Sequence, residues 1–168
     1  MRAGRLTLFA IALAAPALAA AGLNLDELAG VYKYQFDNGL VDGTKFRSED
    51  VLEIVKLSPD KAYIRADLQF YNGHTCTISG IAHVEGDKLV YRAKDADMKG
   101  CVLTLSRKGK QIVFGDETGA CKEVTCGVRG SYDGDGFDVA SRRPIRYMKR
   151  LLASRQFADA QKEEQLAR

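Results

Sequence analysis

Short stretches of alternating apolar and polar residues, each ended by a turn dipeptide, fill the middle of this chain. Residues 61–71, KAYIRADLQFY, place an apolar side chain at every second position, which is the period of a strand with one buried face. Turn dipeptides such as Asn38-Gly39 and Asn72-Gly73 separate these stretches. About seven short strands joined by tight turns predict a mainly β protein, an antiparallel meander that closes into a small β-barrel or folds into a sandwich.

The Asn72-Gly73 dipeptide also predicts the register of the central hairpin. As a two-residue type I′ turn it places Tyr71 opposite His74, and Cys76 then lies on the polar face of the hairpin. The candidate binding residues on this face are Arg65, Asp67, Gln69, Tyr71 and His74. They either line a ligand pocket or meet a protein partner, although the same pattern is typical of an ordinary solvent-facing side of a sheet.

The potential metal ligands do not form a recognisable site. In the predicted register His74 and His83 lie on opposite faces, roughly 30 Å apart along the strand at ~3.3 Å per residue. Asp133 and Asp135 in YDGDGFD occupy the first and third positions of a calcium-type loop, but Phe137 stands where the next ligand is needed. We therefore expect a glycine-rich turn there, and no metal or cofactor.

No motif of a known catalytic class is present. A nucleophile elbow, a phosphate-binding loop, a dinucleotide fingerprint and a zinc-protease helix are all missing from the sequence. We predict that the protein is not an enzyme. A site built around Asp67 and His74 is the one enzymatic alternative. It is not favoured, because a histidine beside a carboxylate is common in proteins without catalysis.

Four cysteines predict two disulfides. An even number of cysteines in an exported chain favours disulfide bonds, because that compartment is oxidising. Three pairings are possible, and the short loop KEVT favours Cys121–Cys126, which leaves Cys76–Cys101. The competing zinc site usually needs two close cysteine pairs, and only one such pair occurs here.

The N-terminus predicts export. Arg2 and Arg5 precede an apolar run rich in alanine, which is shorter than the ~20 residues of a membrane span. A basic start, a short apolar run and an Ala-x-Ala site are typical of a secretory signal peptide. We predict that residues 1–21 are a signal peptide cleaved near Ala19 to Ala21, and that the mature protein is periplasmic or secreted, without a transmembrane segment.

The C-terminal residues differ in character from the rest. Residues 22–141 carry 15 Lys and Arg against 19 Asp and Glu, whereas residues 142–168 carry 8 against 3. Helix-forming residues dominate after Ser141, and Pro144 is a suitable opening residue for a helix. The sequence thus predicts a disulfide-bonded barrel-like domain over 22–141 and a basic helix over 142–168, which either packs on the barrel or binds an acidic partner.

Several stretches of the chain resemble a family of small exported proteobacterial proteins. They are VLEIV, AYIRADLQFYNGHTC, SGIAHVEGDKLVYR, GACKEVTCG and SRRPIRYM. The general plan is also similar to small disulfide-bonded β-barrel proteins of the periplasm, among them the inhibitors of c-type lysozyme. Within that likeness, only SGI at Ser79 to Ile81 is similar to a loop of the inhibitor families, so no inhibitory residue is carried over.

These features together predict a non-enzymatic binding or inhibitor-type protein. It would act through contact with a periplasmic or secreted protein partner, with a lysozyme-like cell-wall hydrolase as the candidate. Such hydrolases are usually cationic, and the acidic body would steer them favourably. A small-ligand-binding barrel is the alternative, and nothing in the sequence indicates nucleic-acid binding.

Overall fold

Eight antiparallel strands run in sequence order through one sheet in the computed structural model, which describes residues 22–166. The strands are β1 (Gly30–Gly39), β2 (Lys45–Ser58), β3 (Lys61–Gln69), β4 (Thr75–Glu85), β5 (Lys88–Arg92), β6 (Val102–Lys108), β7 (Gln111–Gly115) and β8 (Gly136–Asp138). The predicted meander is confirmed, and it forms a nearly closed barrel rather than a sandwich. The predicted signal peptide over residues 1–21 lies outside the described residues.

The barrel closes at one end of its seam only. Val31 of β1 and Arg143, which follows β8, exchange two backbone hydrogen bonds of 2.9 Å each. Next to this bridge the rings of Tyr32 and Phe137 lie 6.4 Å apart across the seam. Beyond Tyr32, β1 continues to Gly39, whereas β8 is only three residues long. The seam is therefore open along most of β1.

Inward-facing side chains fill the barrel. The largest fully buried ones among them include Tyr32, Tyr91, Tyr132, Leu52, Ile64, Leu68, Leu103 and Leu105. The hydroxyl of Tyr32 donates to the backbone oxygen of Leu28 at 2.7 Å, so it is buried with a partner. Gly80 makes room for Tyr91, since a Cβ at Gly80 would lie 2.1 Å from a ring atom. The interior is thus a packed core, as in other small barrels.

Four short α-helices accompany the sheet within residues 22–166. They are α1 (Leu25–Leu28), α2 (Ala120–Thr125), α3 (Met148–Leu152) and α4 (Arg155–Gln165). The predicted C-terminal helix is confirmed as α4, but its predicted bounds of 142–168 are wrong, because Arg143 pairs with β1 and α4 starts only after Ser154. The Ser154 hydroxyl caps α4 by accepting the Phe157 N–H at 3.3 Å. Within residues 22–166 no helix is long and apolar enough to cross a membrane.

The segment after Arg143 covers part of the outer barrel wall, and we call this region the covered flank. Its buried residues come from the wall and from the segment, and they are Val31, Val55, Tyr63, Ile81, Ile145, Leu151, Phe157 and Ala160. The rings of Tyr63 and Phe157 meet edge to face at 5.0 Å. Glu164 fixes the end of α4 to the wall by ion pairs with Lys61 at 3.0 Å and with Lys94.

The central hairpin has a different turn from the predicted one. Its connection is the three-residue turn Tyr71–Gly73, and the Phe70 N–H donates to the His74 carbonyl oxygen at 2.7 Å. Asn72 and Gly73 do take left-handed conformations, with φ of 63° and 72°. Because Tyr71 belongs to the loop instead of the ladder, the predicted pairing of Tyr71 with His74 is wrong by one residue.

That one-residue shift moves Cys76 to the other face. Cys76 lies opposite Leu68 in the barrel interior and is fully buried, whereas the predicted register placed it on the polar face. Asp67 now lies opposite Thr77 on the outer face. Since side chains alternate with a period of two, any slip by one residue exchanges the faces of a strand.

The two expected disulfides are present, but the predicted pairing is wrong. The bonds join Cys76 to Cys126 and Cys101 to Cys121, with Cα–Cα distances of 4.0 and 4.4 Å. Cys121 lies in α2 and Cys126 ends it. The two cysteines are five positions apart, which is about 7.5 Å along a helix axis and beyond the ~7 Å that a disulfide can span between Cα atoms. Because the KEVT stretch is helical rather than an open loop, Cys121 and Cys126 each pair with a cysteine from another part of the chain.

Candidate binding clefts

The predicted polar patch is divided among three places. Arg65 and Asp67 project from the outer face of β3 into a cleft of about 510 Å³, which we call the outer cleft. Gln69 and Tyr71 line a different cleft of about 990 Å³ at the open seam, the seam cleft. His74 lies apart from both, against the backbone of Gly127. The binding role of these five residues stays a prediction, and they do not form one surface.

Buried Glu53 organises the outer cleft. Its side chain is 1% exposed and accepts hydrogen bonds from the Arg65 guanidinium, one of them at 2.8 Å from Nη2, and from the Tyr147 hydroxyl. Burial, followed by the hydrogen bond to Glu53, raises the pKa of Tyr147 to about 12. Arg65 is thus committed to Glu53, and this trio fixes the segment before α3 to the barrel wall.

The remaining candidates also have partners. The Gln69 side-chain amide donates to the Asp67 carboxylate at 2.7 Å. The Tyr71 hydroxyl donates to the Leu40 carbonyl oxygen at 2.9 Å, and the Arg129 guanidinium lies 5.6 Å from the centre of the Tyr71 ring. Tyr71 therefore joins the turn after β3 to the turn after β1, at the edge of the seam cleft.

The seam cleft gathers aromatic side chains from the exposed ends of β1 and β2. The rings of Tyr34 and Phe36 stack at 5.7 Å with 17° between their planes. Tyr34 is 57% exposed, Tyr71 45% and Phe46 38%. All the exposed large aromatic residues in the described part of the chain line this cleft. Clustered exposed apolar side chains of this kind mark interaction sites.

These aromatic residues are exposed because the seam is open beside them. Tyr34, Phe36 and Phe46 lie on the same face of the sheet as Tyr32, which is buried inside the barrel. Further along β1 the barrel has no wall opposite them, since β8 ends the sheet after three residues. Side chains of inward orientation therefore reach the solvent through the gap.

The same gap leaves backbone groups of β1 free. Val31 directs its N–H and C=O toward Arg143, across the seam. Because these directions alternate along a strand, the backbone groups of Lys33, Gln35 and Asp37 face the open side as well. No described residue outside the strand ladders bonds to them. An unpaired strand edge of this kind accepts another strand.

Two carboxylates give the seam cleft an acidic floor. Burial, with smaller contributions from Asp135 and Asp67, raises the pKa of Asp50 to about 6, even though the Gln69 N–H donates to Asp50 at 2.7 Å and opposes the rise. Burial also raises the pKa of Asp135. The nearby cation Arg47 is paired with Asp37 at 2.8 Å. The floor therefore carries negative charge that the described residues leave poorly compensated.

Residues 22–166 contain no group of three or more His, Cys, Asp or Glu side chains that could hold a metal ion. In the YDGDGFD loop, Asp133 accepts the backbone N–H of Asp116 at 3.2 Å. Asp135 lies in the seam cleft instead, so the two aspartates of the loop serve different parts of the molecule.

Sequence reasoning did not find the main residues of the seam cleft. Tyr34 and Phe36 alternate with Lys33 and Gln35 as in an ordinary strand, and Asp50 lies in a stretch without a motif. The available signal was the acid itself: Asp50 occupies an inward position between Ser48 and Leu52, where an apolar residue is expected. The opening of the seam depends on the length of β8, which has no signature in the sequence.

Comparison of the chain with models of protein families, with curated proteins and with solved structures found no match. The resemblances to exported proteobacterial proteins and to lysozyme inhibitors therefore remain predictions. The function has to be inferred from the geometry of the clefts.

Proposed function

We propose that this protein is a non-enzymatic binding protein of the periplasm or the extracellular space, which contacts a protein partner through the seam cleft. The observation that carries the proposal is the collection of exposed aromatic residues in this one cleft. Tyrosine is enriched among the residues that dominate the binding energy of protein interfaces, because it offers a large rigid surface with a polar end.

The free edge of β1 supports a protein partner over a small ligand. A partner segment in extended conformation would find backbone donors and acceptors at Lys33, Gln35 and Asp37, next to the stacked rings of Tyr34 and Phe36. A carrier of the barrel type needs an internal chamber, whereas the described interior is filled by its own side chains. The seam cleft is also open and wide, which suits the surface of a protein partner better than a small ligand that has to be enclosed.

The disulfides support the compartment. Cys76–Cys126 and Cys101–Cys121 are both formed, and such bonds persist in oxidising environments. The two bonds therefore support an exported protein.

A cationic lysozyme-like hydrolase is the partner class to test first. Purified protein is mixed with a panel of lysozymes, and complex formation and the lytic rate are measured. We expect a complex with at least one member, slower lysis, and about tenfold weaker binding by the Tyr34→Ala/Phe46→Ala double variant, since two interface aromatics are lost.

The matched control is Leu57→Ala/Leu152→Ala, which removes two side chains that are exposed to a similar degree, at 42% and 40%, and that do not line the seam cleft. This variant keeps the affinity of the unchanged protein. Absence of any complex together with an unchanged lytic rate contradicts the lysozyme-like partner. A complex that survives the loss of Tyr34 and Phe46 contradicts the assignment of the interface to the seam cleft.

A further inference from the structure

We propose that the seam cleft holds an arginine side chain of the protein partner, with its guanidinium against the Tyr34 ring and the carboxylates of Asp50 and Asp135. This assignment rests on the proposed function, because it names the group that the cleft recognises. It adds a ligand chemistry that the aromatic surface alone does not specify.

The register of β1 and β2 places an aromatic ring beside an acid. Tyr34 lies directly opposite Asp50, and directly paired residues have Cβ atoms about 5 Å apart on the same face of the sheet. The second ring, Phe36, stacks on Tyr34 at 5.7 Å. A planar guanidinium stacks on an aromatic face and at the same time donates two parallel hydrogen bonds to a carboxylate.

Charge complementarity identifies the occupant as a cation. Asp135 lines the same cleft as Asp50 and is close enough to act on it electrostatically. No ion pair of the described residues includes Asp50, and its carboxylate receives only the Gln69 N–H. A ligand cation would compensate a charge that the fold leaves partly buried.

The cations near the seam cleft do not neutralise the carboxylates of Asp50 and Asp135. Arg47 forms an ion pair with Asp37 at 2.8 Å. The guanidinium carbon of Arg129 lies 5.6 Å from the centre of the Tyr71 ring. Lys45 is exposed at the rim. Arg47 and Arg129 are therefore engaged by other side chains, and neither forms an ion pair with Asp50.

The test uses two small probes that differ in charge and have nearly the same shape. N-acetyl-arginine amide and the neutral N-acetyl-citrulline amide are titrated into the mature protein, and backbone amide signals are followed by NMR. We expect the arginine probe to shift the signals of Tyr34, Phe36 and Asp50, with at least fivefold weaker binding of the citrulline probe. Asp50→Asn/Asp135→Asn abolishes this preference.

The matched control is Asp87→Asn/Asp97→Asn, which removes two exposed carboxylates that do not line the seam cleft and keeps the preference. Equal binding of the two probes, or a preference that survives Asp50→Asn/Asp135→Asn, overturns the arginine site. Partner binding that still depends on Tyr34 and Phe46 would then leave the proposed function standing. A preference that maps to other residues would place the cation elsewhere and also overturn the assignment.

Discussion

The covered flank and the seam cleft are two aromatic surfaces of the same sheet, but the rings of the first are buried and those of the second are exposed. On the covered flank, Tyr63 is fully buried because Phe157 of α4 packs on its ring at 5.0 Å. In the seam cleft, Tyr34 stacks on Phe36 and remains 57% exposed. The described segment after Arg143 packs on the outer wall and does not line the seam cleft.

This difference separates residues that stabilise the fold from residues available for binding. The covered flank is closed by ion pairs of Glu164 as well as by apolar contact. The seam cleft has the reverse electrostatics, since Asp50 and Asp135 form no ion pair among the described residues, and burial raises the pKa of both. Uncompensated buried charge of this kind lowers the stability of the fold, which is the expected compromise at the binding surface that we propose.

Removal of one aromatic side chain from each surface tests the comparison most strongly. Phe157→Ala should lower the free energy of unfolding by about 3 kcal/mol, because Phe157 is only 8% exposed and leaves a cavity over Tyr63. Tyr34→Ala should change it by less than about 1 kcal/mol, since the ring is largely in solvent. Urea unfolding measures both values.

Hydrogen exchange of the α4 amides shows whether Phe157→Ala destabilises the whole fold or only α4. Faster exchange confined to α4 means that the segment detaches while the barrel survives. Equal destabilisation by Phe157→Ala and Tyr34→Ala would contradict the division into a stabilising and a binding surface.

A smaller effect is expected from the ion pairs of the covered flank. Burial opposes the charge of Glu164, but hydrogen bonds from Lys94, Lys61 and His83 lower its pKa to about 2. A lowered carboxyl pKa stabilises the fold above the unfolded pKa, and this stability is lost as the pH falls toward 2. Glu164→Gln should therefore cost about 1 to 2 kcal/mol at pH 7, and almost nothing at pH 2.

Urea unfolding of the unchanged protein and of Glu164→Gln, at pH 7 and at pH 2, checks this expectation. Asp159→Asn is a suitable control, because Asp159 meets only Arg155 on its own helix, at 3.6 Å in an exposed position. An equal loss from Glu164→Gln at both pH values would show that packing, and not charge, fixes α4 to the wall.

The smallest effect has the opposite sign and concerns the seam cleft. The pKa of Asp50 is raised to about 6, so the folded chain binds a proton more tightly than the unfolded one. Stability then falls as the pH rises from about 4 to 6. Asp50→Asn should add roughly 1 kcal/mol at pH 8, after allowance for solvent screening, and nothing at pH 3.5.

Asp87→Asn makes the same charge change at an exposed turn and should leave the stability unaltered at both pH values. A loss of stability in Asp50→Asn at pH 8 would mean that the charged carboxylate supports the fold through the Gln69 N–H, contrary to the uncompensated charge inferred for the cleft.

The sequence predicted the elements better than it predicted their pairing. Alternation in residues 61–71 located β3, and tight turns separated the strands, because burial of one sheet face repeats every two residues. The turn at Asn72-Gly73 was placed correctly but with the wrong length, which moved Cys76 to the wrong face. Two left-handed residues fit both a two-residue and a three-residue turn, so the local sequence did not decide between them.

The candidate site was less predictable. Of the predicted binding residues, Gln69 and Tyr71 line the seam cleft. Arg65 is instead paired with Glu53, and His74 packs against Gly127. Alternate residues of one strand share one surface only where the sheet is neither strongly curved nor covered. The curvature of the barrel and the cover from the C-terminal segment divide that surface, and neither is encoded locally.

Periodicity, cysteine count and composition were enough to predict the antiparallel meander, the presence of two disulfides and the acidic body. The pairing of the cysteines, the choice of the aromatic surface that the chain covers, and the meeting of Asp50 with Tyr34 at an open seam depend on how the folded segments pack. Those outcomes depend on contacts between residues far apart in the chain, such as Val31 with Arg143 and Lys61 with Glu164. Local patterns restrict the conformation of each segment, but the distances between segments are set only when the barrel closes.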